Sequence, residues 1–394
     1  MICPFCSLLC DATDLNEIDC GLRNKSLNQL AKFRSQLDPS FNESVLDPEM
    51  ELAASIELLG IAKRVLITGR IASVQTARAA VALAMKLNGT IDCAEAGHIF
   101  KNVQAIQRAG INSVSLAEAR DHADLLIVIG DDSLFDACPR IPHALHGQNM
   151  SRKTVLLLGG FTDKSMKAWQ AAGFQPWSIS CKLESVPSAL LQWSNAMAQS
   201  SQDRMTSELF TALENAKYTA VLWSAASLFV EQADLWVERL LEWIASQNET
   251  KRCAALPWTS LDGTFQQVCT WLTGFPGRIR FQDGIPSFDT YAHSYENWLA
   301  ASRDLDSDSV VIAIDETVAT EPFRAKMKFG LDRKFYAIEL TAGSVRFPTA
   351  VAGAEVAADI FRADQTLLAH LTPSHECDES RVRPAAYWLA RLAP

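Results

Sequence analysis

Long apolar runs are missing from this chain. No stretch approaches the roughly 18 apolar residues that a membrane span needs, so no membrane association is expected. A basic excess is missing too. The 36 Lys and Arg face 46 Asp and Glu, a formal net charge of −10, which argues against a nucleic-acid or anionic-membrane surface. Histidine is scarce, at seven residues. His143 and His146 stand at helical spacing, but no third ligand follows at zinc-site spacing, so a catalytic zinc is not expected. No Gly-x-Ser-x-Gly turn and no Walker loop occur, which leaves hydrolase and nucleotidase readings without a foothold. The N-terminus has no basic segment followed by an apolar core, so no signal peptide is expected. The cysteines then fit a reducing, cytoplasmic compartment, where thiols bind metal or fill cores. There is no internal repeat and no low-complexity linker.

What remains is an ordinary globular balance, 48 % apolar and 21 % charged over 394 residues. That length predicts two or three domains with sizeable cores. Four of the ten cysteines fall in the first twenty residues. Cys3, Cys6 and Cys10 form a C-x2-C-x3-C run, and Cys20 follows. Thiolates at short, uneven spacing can wrap one compact centre. Three close cysteines and a distal one suit a 4Fe–4S cluster; zinc and an empty site of buried thiols are the rival readings. Cys93, Cys138, Cys181, Cys253, Cys269 and Cys377 lack metal-site spacing and read as small core residues.

Brief apolar runs closed by glycine or acid read as buried parallel strands at 64–69, 90–93, 123–130, 154–159, 218–223, 253–257, 310–315 and 335–340. Helical periodicity predicts helices over 24–33, 49–62, 73–87, 102–109, 116–122, 164–172, 185–199, 208–216 and 235–245. Residues 258–293 read as a long loop-rich stretch. Alternating strands and helices predict an α/β fold of two doubly wound, Rossmann-like domains behind a small cysteine-rich N-terminal segment. The expected divisions are an N-terminal segment 1–48, a first domain 49–150 completed by 331–394, and a second domain 151–330.

Several stretches, in collinear order, resemble the B subunit of formylmethanofuran dehydrogenase, of the molybdopterin oxidoreductase superfamily. They are Ile2-Cys-x-x-Cys-Ser-Leu-Leu-Cys-Asp11, then Ile91-Asp92 through Val103-x-Ala105-x-Gln107-x-x-Gly110. The strand 123–130 with Pro139-Arg140 follows, then Gly263-x-x-Gln266-Gln267-Val268-Cys-Thr270-Trp271-x-Thr273-Gly274-Phe275-Pro276 with Gly284-x-Pro286. Phe347-Pro-Thr-Ala350-x-x-Gly353-x-Glu355 closes the series. The resemblance implies a formate dehydrogenase-like fold, a 4Fe–4S cluster at Cys3, Cys6, Cys10 and Cys20, and a molybdenum- or tungsten-pterin site.

The chain departs from that pattern where the pattern carries chemistry. The family places a metal-ligating Cys or selenocysteine where this sequence has His98, and follows it with His-Gly-Pro-Ser where Ile99-Phe100-Lys101-Asn102 stands. A soft metal on a dithiolene selects soft sulfur, so His98 is a poor substitute. The pterin loop's Asn-Pro is replaced: the stretch reads Gly130-Asp131-Asp132-Ser133, whose carboxylates repel phosphate. The loop after the strand 154–159 begins Gly159-Gly160 and lacks the expected basic pattern, and only nine residues separate Cys10 from Cys20. Among relatives, the losses best match the redox-inactive B subunit of the bacterial formyltransferase/hydrolase complex. That complex moves a formyl group between tetrahydromethanopterin and a furan-type carrier and releases formate, in one-carbon metabolism. The resemblance implies a chain without its own active site, molybdopterin absent, and partners of three kinds: an amidohydrolase-like A subunit, a C subunit and a formyltransferase D subunit. The alternatives are an active dehydrogenase subunit with a molybdenum- or tungsten-pterin, and an iron–sulfur electron-transfer or scaffold module.

Three further groups have ordinary readings. Asp315-Glu316 reads as a solvated loop pair and Lys101 with Arg108 as a solvated helix face. Trp236 and Trp243, seven apart, share a helical face that packs a core or a subunit interface.

Overall fold

The computed structural model describes residues 1–12, 18–36, 48–93, 96–147, 153–196, 211–228, 230–301, 309–318, 323–332, 338–375, 377 and 382–392. Parts of three expected elements, 197–199, 208–210 and 335–337, lie outside these residues. Contacts divide the chain into two units. Unit 1 holds Met1–Ala96, Ser260–Arg362 and Leu367–Pro394; unit 2 holds Gly97–Thr259 and Ala363–Thr366.

The chain begins with α1 (Gly21–Gln36), α2 (Pro48–Ile61), β1 (Arg64–Arg70), α3 (Val74–Lys86) and β2 (Thr90–Ile91). β1 is buried from Val65 through Gly69, as a strand covered on both faces must be. α3 starts where Ser73, extended, accepts the Thr76 N–H. Its buried face sets the small Ala77, Ala80 and Ala84 beside Val81 and Leu83.

The middle passage forms α4 (Ala96–Ala109), α5 (Leu116–His122), β3 (Leu125–Asp131), α6 (Ser133–Ala137) and α7 (Ile141–Ala144). It continues with β4 (Thr154–Gly160), α8 (Asp163–Ala171), β5 (Pro176–Ser180), α9 (Val186–Ala196), β6 (Tyr218–Ser224), α10 (Ala233–Gln247) and β7 (Arg252–Trp258). The five strands pair in parallel in the order β5-β4-β3-β6-β7. The chain builds outward from β3 to β5 and then returns to the other side for β6, so the order reverses between β3 and β6. Leu125, Ile127, Ile129, Leu156, Leu158, Val221 and Trp223, with Cys253 and Ala255 of β7, form the sheet's buried share of one core. Trp236 and Trp243 join that core from α10, and Trp236 Nε1 donates to the Leu183 carbonyl at 2.6 Å. The two tryptophans therefore pack their own unit.

The last passage adds α11 (Gly263–Thr273), β8 (Ile279–Gln282), β9 (Ile285–Phe288), α12 (Tyr295–Ala301), β10 (Ser309–Asp315), β11 (Phe323–Asp332) and β12 (Ile338–Phe347). β13 (Ala358–Phe361), β14 (Leu368–Leu371) and α13 (Ala385–Arg391) follow. The unit 1 sheet has the order β12-β11-β10-β1-β2-β8-β9. It is parallel from β12 to β2 and antiparallel beyond. Its parallel order reverses between β1 and β10.

Several expectations are corrected. A boundary at 150/151 would part β3 from β4, which pair along seven residues from Leu125↔Thr154 to Asp131↔Gly160. Residues 151–330 do not form one domain, because β10 pairs with β1 and not with the strands of unit 2. The helix placed at 102–109 begins at Ala96 and so includes His98. The stretch 258–293 is not loop-rich: it holds α11 and the β8–β9 hairpin. That hairpin turns at Asp283-Gly284, both at positive φ (51° and 78°), the mirror-image turn that suits the twist of paired strands.

Candidate functional site

In open α/β sheets, ligands sit beyond the carboxyl ends of the strands, where the order reverses. Three strands here have a glycine at positive φ as their next-to-last residue: Gly69 (127°), Gly130 (147°) and Gly159 (130°). A Cβ on Gly69 would lie 2.0 Å from the Ile314 carbonyl oxygen, and one on Gly159 would lie 2.2 Å from that of Gly130. Glycine is required at both ends by close backbone approach.

In unit 2 the structure brings Gly130, Asp131, Asp132 and Ser133 to the end of β3. Asp131 Oδ1 accepts the Ser133 N–H at 2.9 Å and the Ser133 hydroxyl. Asp132 turns the other way. Its Oδ1 accepts the Thr162 N–H at 3.1 Å and the Ser165 hydroxyl, and its Oδ2 accepts the Thr162 hydroxyl. Thr162 is the N-cap of α8, so the Asp132 carboxylate sits at the head of that helix. Partial burial pushes the Asp132 carboxyl up. The hydrogen bonds from Ser165 and Thr162, with Lys164 nearby, outweigh it and hold the carboxyl below its usual range.

Unit 1 repeats this device. Asp315 Oδ1, at the end of β10, accepts the Thr317 N–H at 2.9 Å and the Thr317 hydroxyl at 2.8 Å. Its Oδ2 meets Arg70 Nη1 at 3.2 Å. Glu316 reaches the head of α3. Oε2 accepts the Ala72 and Ser73 N–H groups, each at 3.0 Å. Both oxygens accept from the Ser73 hydroxyl, at 2.9 and 3.1 Å, and Oε1 accepts from the Thr76 hydroxyl. Asp315 and Glu316 are each only 3 % exposed, so the expectation of a solvated pair is overturned. Burial raises the Glu316 pKa, opposed by its donors Thr76, Ser73 and Ala72. Asp131-Asp132-Ser133 and Asp315-Glu316-Thr317 are the same pattern: an acid that folds onto the residue two on, then an acid that caps the helix after the neighbouring strand. The sequence signal was the repeated Asp-acid-hydroxyl tripeptide after an apolar run.

His98 lies in the first turn of α4, half-buried. Three residues on, Lys101 Nζ donates to the Leu228 carbonyl at 2.9 Å and the Ala225 carbonyl at 3.4 Å, in the loop after β6. Burial lowers the Lys101 pKa. Lys101 is thus tied to backbone, and Arg108 is paired within its own unit with Asp234 at 2.9 Å and with Glu238. These exposed pairs are worth little individually, so Arg108→Ala should cost less than about 1 kcal/mol in urea unfolding.

At the N-terminus, Ile2 and Asp11 bridge, Cys3 N–H donates to the Cys10 carbonyl at 2.8 Å, and Leu9 N–H donates to the Cys6 carbonyl at 3.3 Å. This turn is held by backbone. Cys3 and Cys20 are buried around Ile18 with Cys10 against them, while Cys6 stands outside that cluster, half-buried. Among the described residues, no three His, Cys, Asp or Glu side chains gather in a metal-holding group.

A buried carboxylate went unremarked in the sequence as a titrating group. Asp92, just after β2, is fully buried; its Oδ2 accepts the Tyr295 N–H at 3.0 Å and lies 3.7 Å from Arg278 Nε. Burial pushes its carboxyl up to about 7, against the pull of the Tyr295 N–H and Arg278. Burial and the Asp92 charge together push the Cys269 thiol well up.

No protein-family model matches the chain. It is 22 % identical over 411 residues to the B subunit of the tungsten-containing formylmethanofuran dehydrogenase 2 of Methanococcus maripaludis, across 92 % of this chain and 91 % of that protein. Its fold matches a chain in the crystal structure of the formyltransferase/hydrolase complex (FhcABCD) from Methylorubrum extorquens with methylofuran. The TM-score is 0.71 at 18 % identity, over 89 % of this chain and 96 % of that chain. The resemblance seen in the motifs thus extends over most of the chain, in sequence to the dehydrogenase subunit and in fold to a chain of the complex. No helix among the described residues is long and apolar enough to cross a membrane.

Proposed function

We propose that this chain is a non-catalytic, structural B-type subunit of a cytoplasmic formyltransferase/hydrolase complex. The complex moves a formyl group between tetrahydromethanopterin and a furan-type carrier and releases formate. The observation that carries the reading is His98, in the first turn of α4, at the position where the dehydrogenase pattern has a thiolate or selenolate. An imidazole does not supply the soft ligand such a metal selects. The fold match to a chain of the formyltransferase/hydrolase complex supports the same reading. The two units are then doubly wound domains of the molybdopterin oxidoreductase type, kept as a scaffold. The partners are an amidohydrolase-like A subunit, a C subunit and a formyltransferase D subunit, which hold the chemistry. Cys3, Cys6, Cys10 and Cys20 mark descent from a redox subunit, in a turn that backbone hydrogen bonds hold.

The purified complex should transfer formyl groups with no electron acceptor present. It should not reduce a viologen dye when given the formylated furan carrier. Dye reduction that depends on that carrier would establish the second reading, an active dehydrogenase subunit, which the sequence relative favours.

A further inference from the structure

We infer that each unit closes its own phosphate position: Asp132 at the head of α8 and Glu316 at the head of α3 stand where a dinucleotide's phosphates would bind. Neither edge is then open to a phosphate-bearing cofactor, and the residues present do not fit one.

Backbone N–H groups at a helix head, facing the carboxyl edge of a parallel sheet, form an anion position. In unit 1 the Ala72 and Ser73 N–H groups, with the Ser73 and Thr76 hydroxyls, are all spent on the Glu316 carboxylate. This carboxylate is buried and arrives from β10, across the point where the strand order reverses. In unit 2 the Thr162 N–H and the Thr162 and Ser165 hydroxyls are spent on Asp132, which follows β3, the strand at that unit's reversal. One such cap is ordinary. Two, built from matching Asp-acid-hydroxyl tripeptides that each cap the helix after the neighbouring strand, are one device used twice, across the reversal in unit 1 and one strand beside it in unit 2. A phosphate entering either position would have to displace a carboxylate fixed by several donors, or lie beside it against charge repulsion, which burial strengthens at Glu316. This inference does not depend on the formyl reading, because the same closure would hold in any complex.

The test is hydrogen–deuterium exchange of the full chain with and without millimolar inorganic pyrophosphate, at matched ionic strength. In the wild type, amides in 70–76 and 161–166 should exchange identically in both conditions. Glu316 is tested there, where no substitution can unfold the chain. In Asp132→Ser, amides in 161–166 should exchange about tenfold faster, the size expected from a lost cap, and pyrophosphate should restore their protection. Exchange in 70–76 should stay at the wild-type rate and report that unit 1 is intact. Pyrophosphate protection of either segment in the wild type overturns the inference. So does an Asp132→Ser variant whose 161–166 amides keep the wild-type rate. Faster exchange that pyrophosphate does not reverse overturns it as well, because the vacated position then takes no anion.

Discussion

Replacing Glu316 by alanine is expected to destabilise the protein by roughly 3–5 kcal/mol in urea unfolding. The size follows from what is left behind. Two backbone N–H groups and two hydroxyls lose their acceptor in a site with almost no water access. Each buried donor left unmade costs about 1–3 kcal/mol, and some relax towards one another. Glu316→Gln keeps one acceptor oxygen but brings an NH2 group against donors, so it should fall between wild type and alanine. If Glu316→Ala costs no more than an exposed carboxylate, below about 1 kcal/mol, Glu316 does not hold the head of α3.

The second large effect belongs to Asp92 and depends on pH. Its folded pKa, about 7, lies above the 3.8 of an exposed aspartate. The folded state therefore holds the proton more tightly than the unfolded state. The stability this contributes is fully present below about pH 4 and is lost as pH rises through about 7. Above that, the chain buries a carboxylate whose contact to Arg278, at 3.7 Å, is long for an ion pair. Asp92→Asn keeps an oxygen for the Tyr295 N–H and removes the charge. Between pH 5 and 8 the wild type should lose on the order of 2–4 kcal/mol more than Asp92→Asn, measured as parallel urea titrations. Parallel pH profiles for the two proteins would show that Asp92 is ionised in the fold throughout. Arg278 loses this carboxylate in the variant at every pH, so that change shifts the level of the curve and leaves its slope to Asp92.

Strands β1, β3, β4, β6, β7 and β10 were legible because each is a short apolar run with its own stop, whereas β5, β11, β13 and β14 gave no such run. The stops at Gly69, Gly130 and Gly159 fall where the backbone needs positive φ. The resemblance was legible for the same reason, since its motifs are local. What failed was non-local. Glu316 meets the α3 head across some 240 positions, and no periodicity announces that a carboxylate after one strand will cap the helix after another. Its neighbourhood of acids and hydroxyls looks solvated in sequence and is buried in the fold. The division into units failed likewise, because β10 returns to β1 after the whole of unit 2 has been made. The β8–β9 hairpin is a different case. Asp283-Gly284 is a strong turn signal, but four-residue strands on either side give too little alternation to register. At the N-terminus the spacing of Cys3, Cys6, Cys10 and Cys20 was plain. Whether thiols converge depends on side-chain directions that spacing does not carry.

The central claim is that a redox subunit's fold has been retained without its redox metal, and that His98 and the two capping carboxylates mark the change. Its most direct test is the iron, zinc, molybdenum, tungsten and pterin content of the purified complex, measured anaerobically per copy of this chain. The account predicts molybdenum and tungsten far below one per chain and no pterin, in a complex that transfers formyl groups at full rate. Stoichiometric molybdenum or tungsten together with a pterin would contradict it.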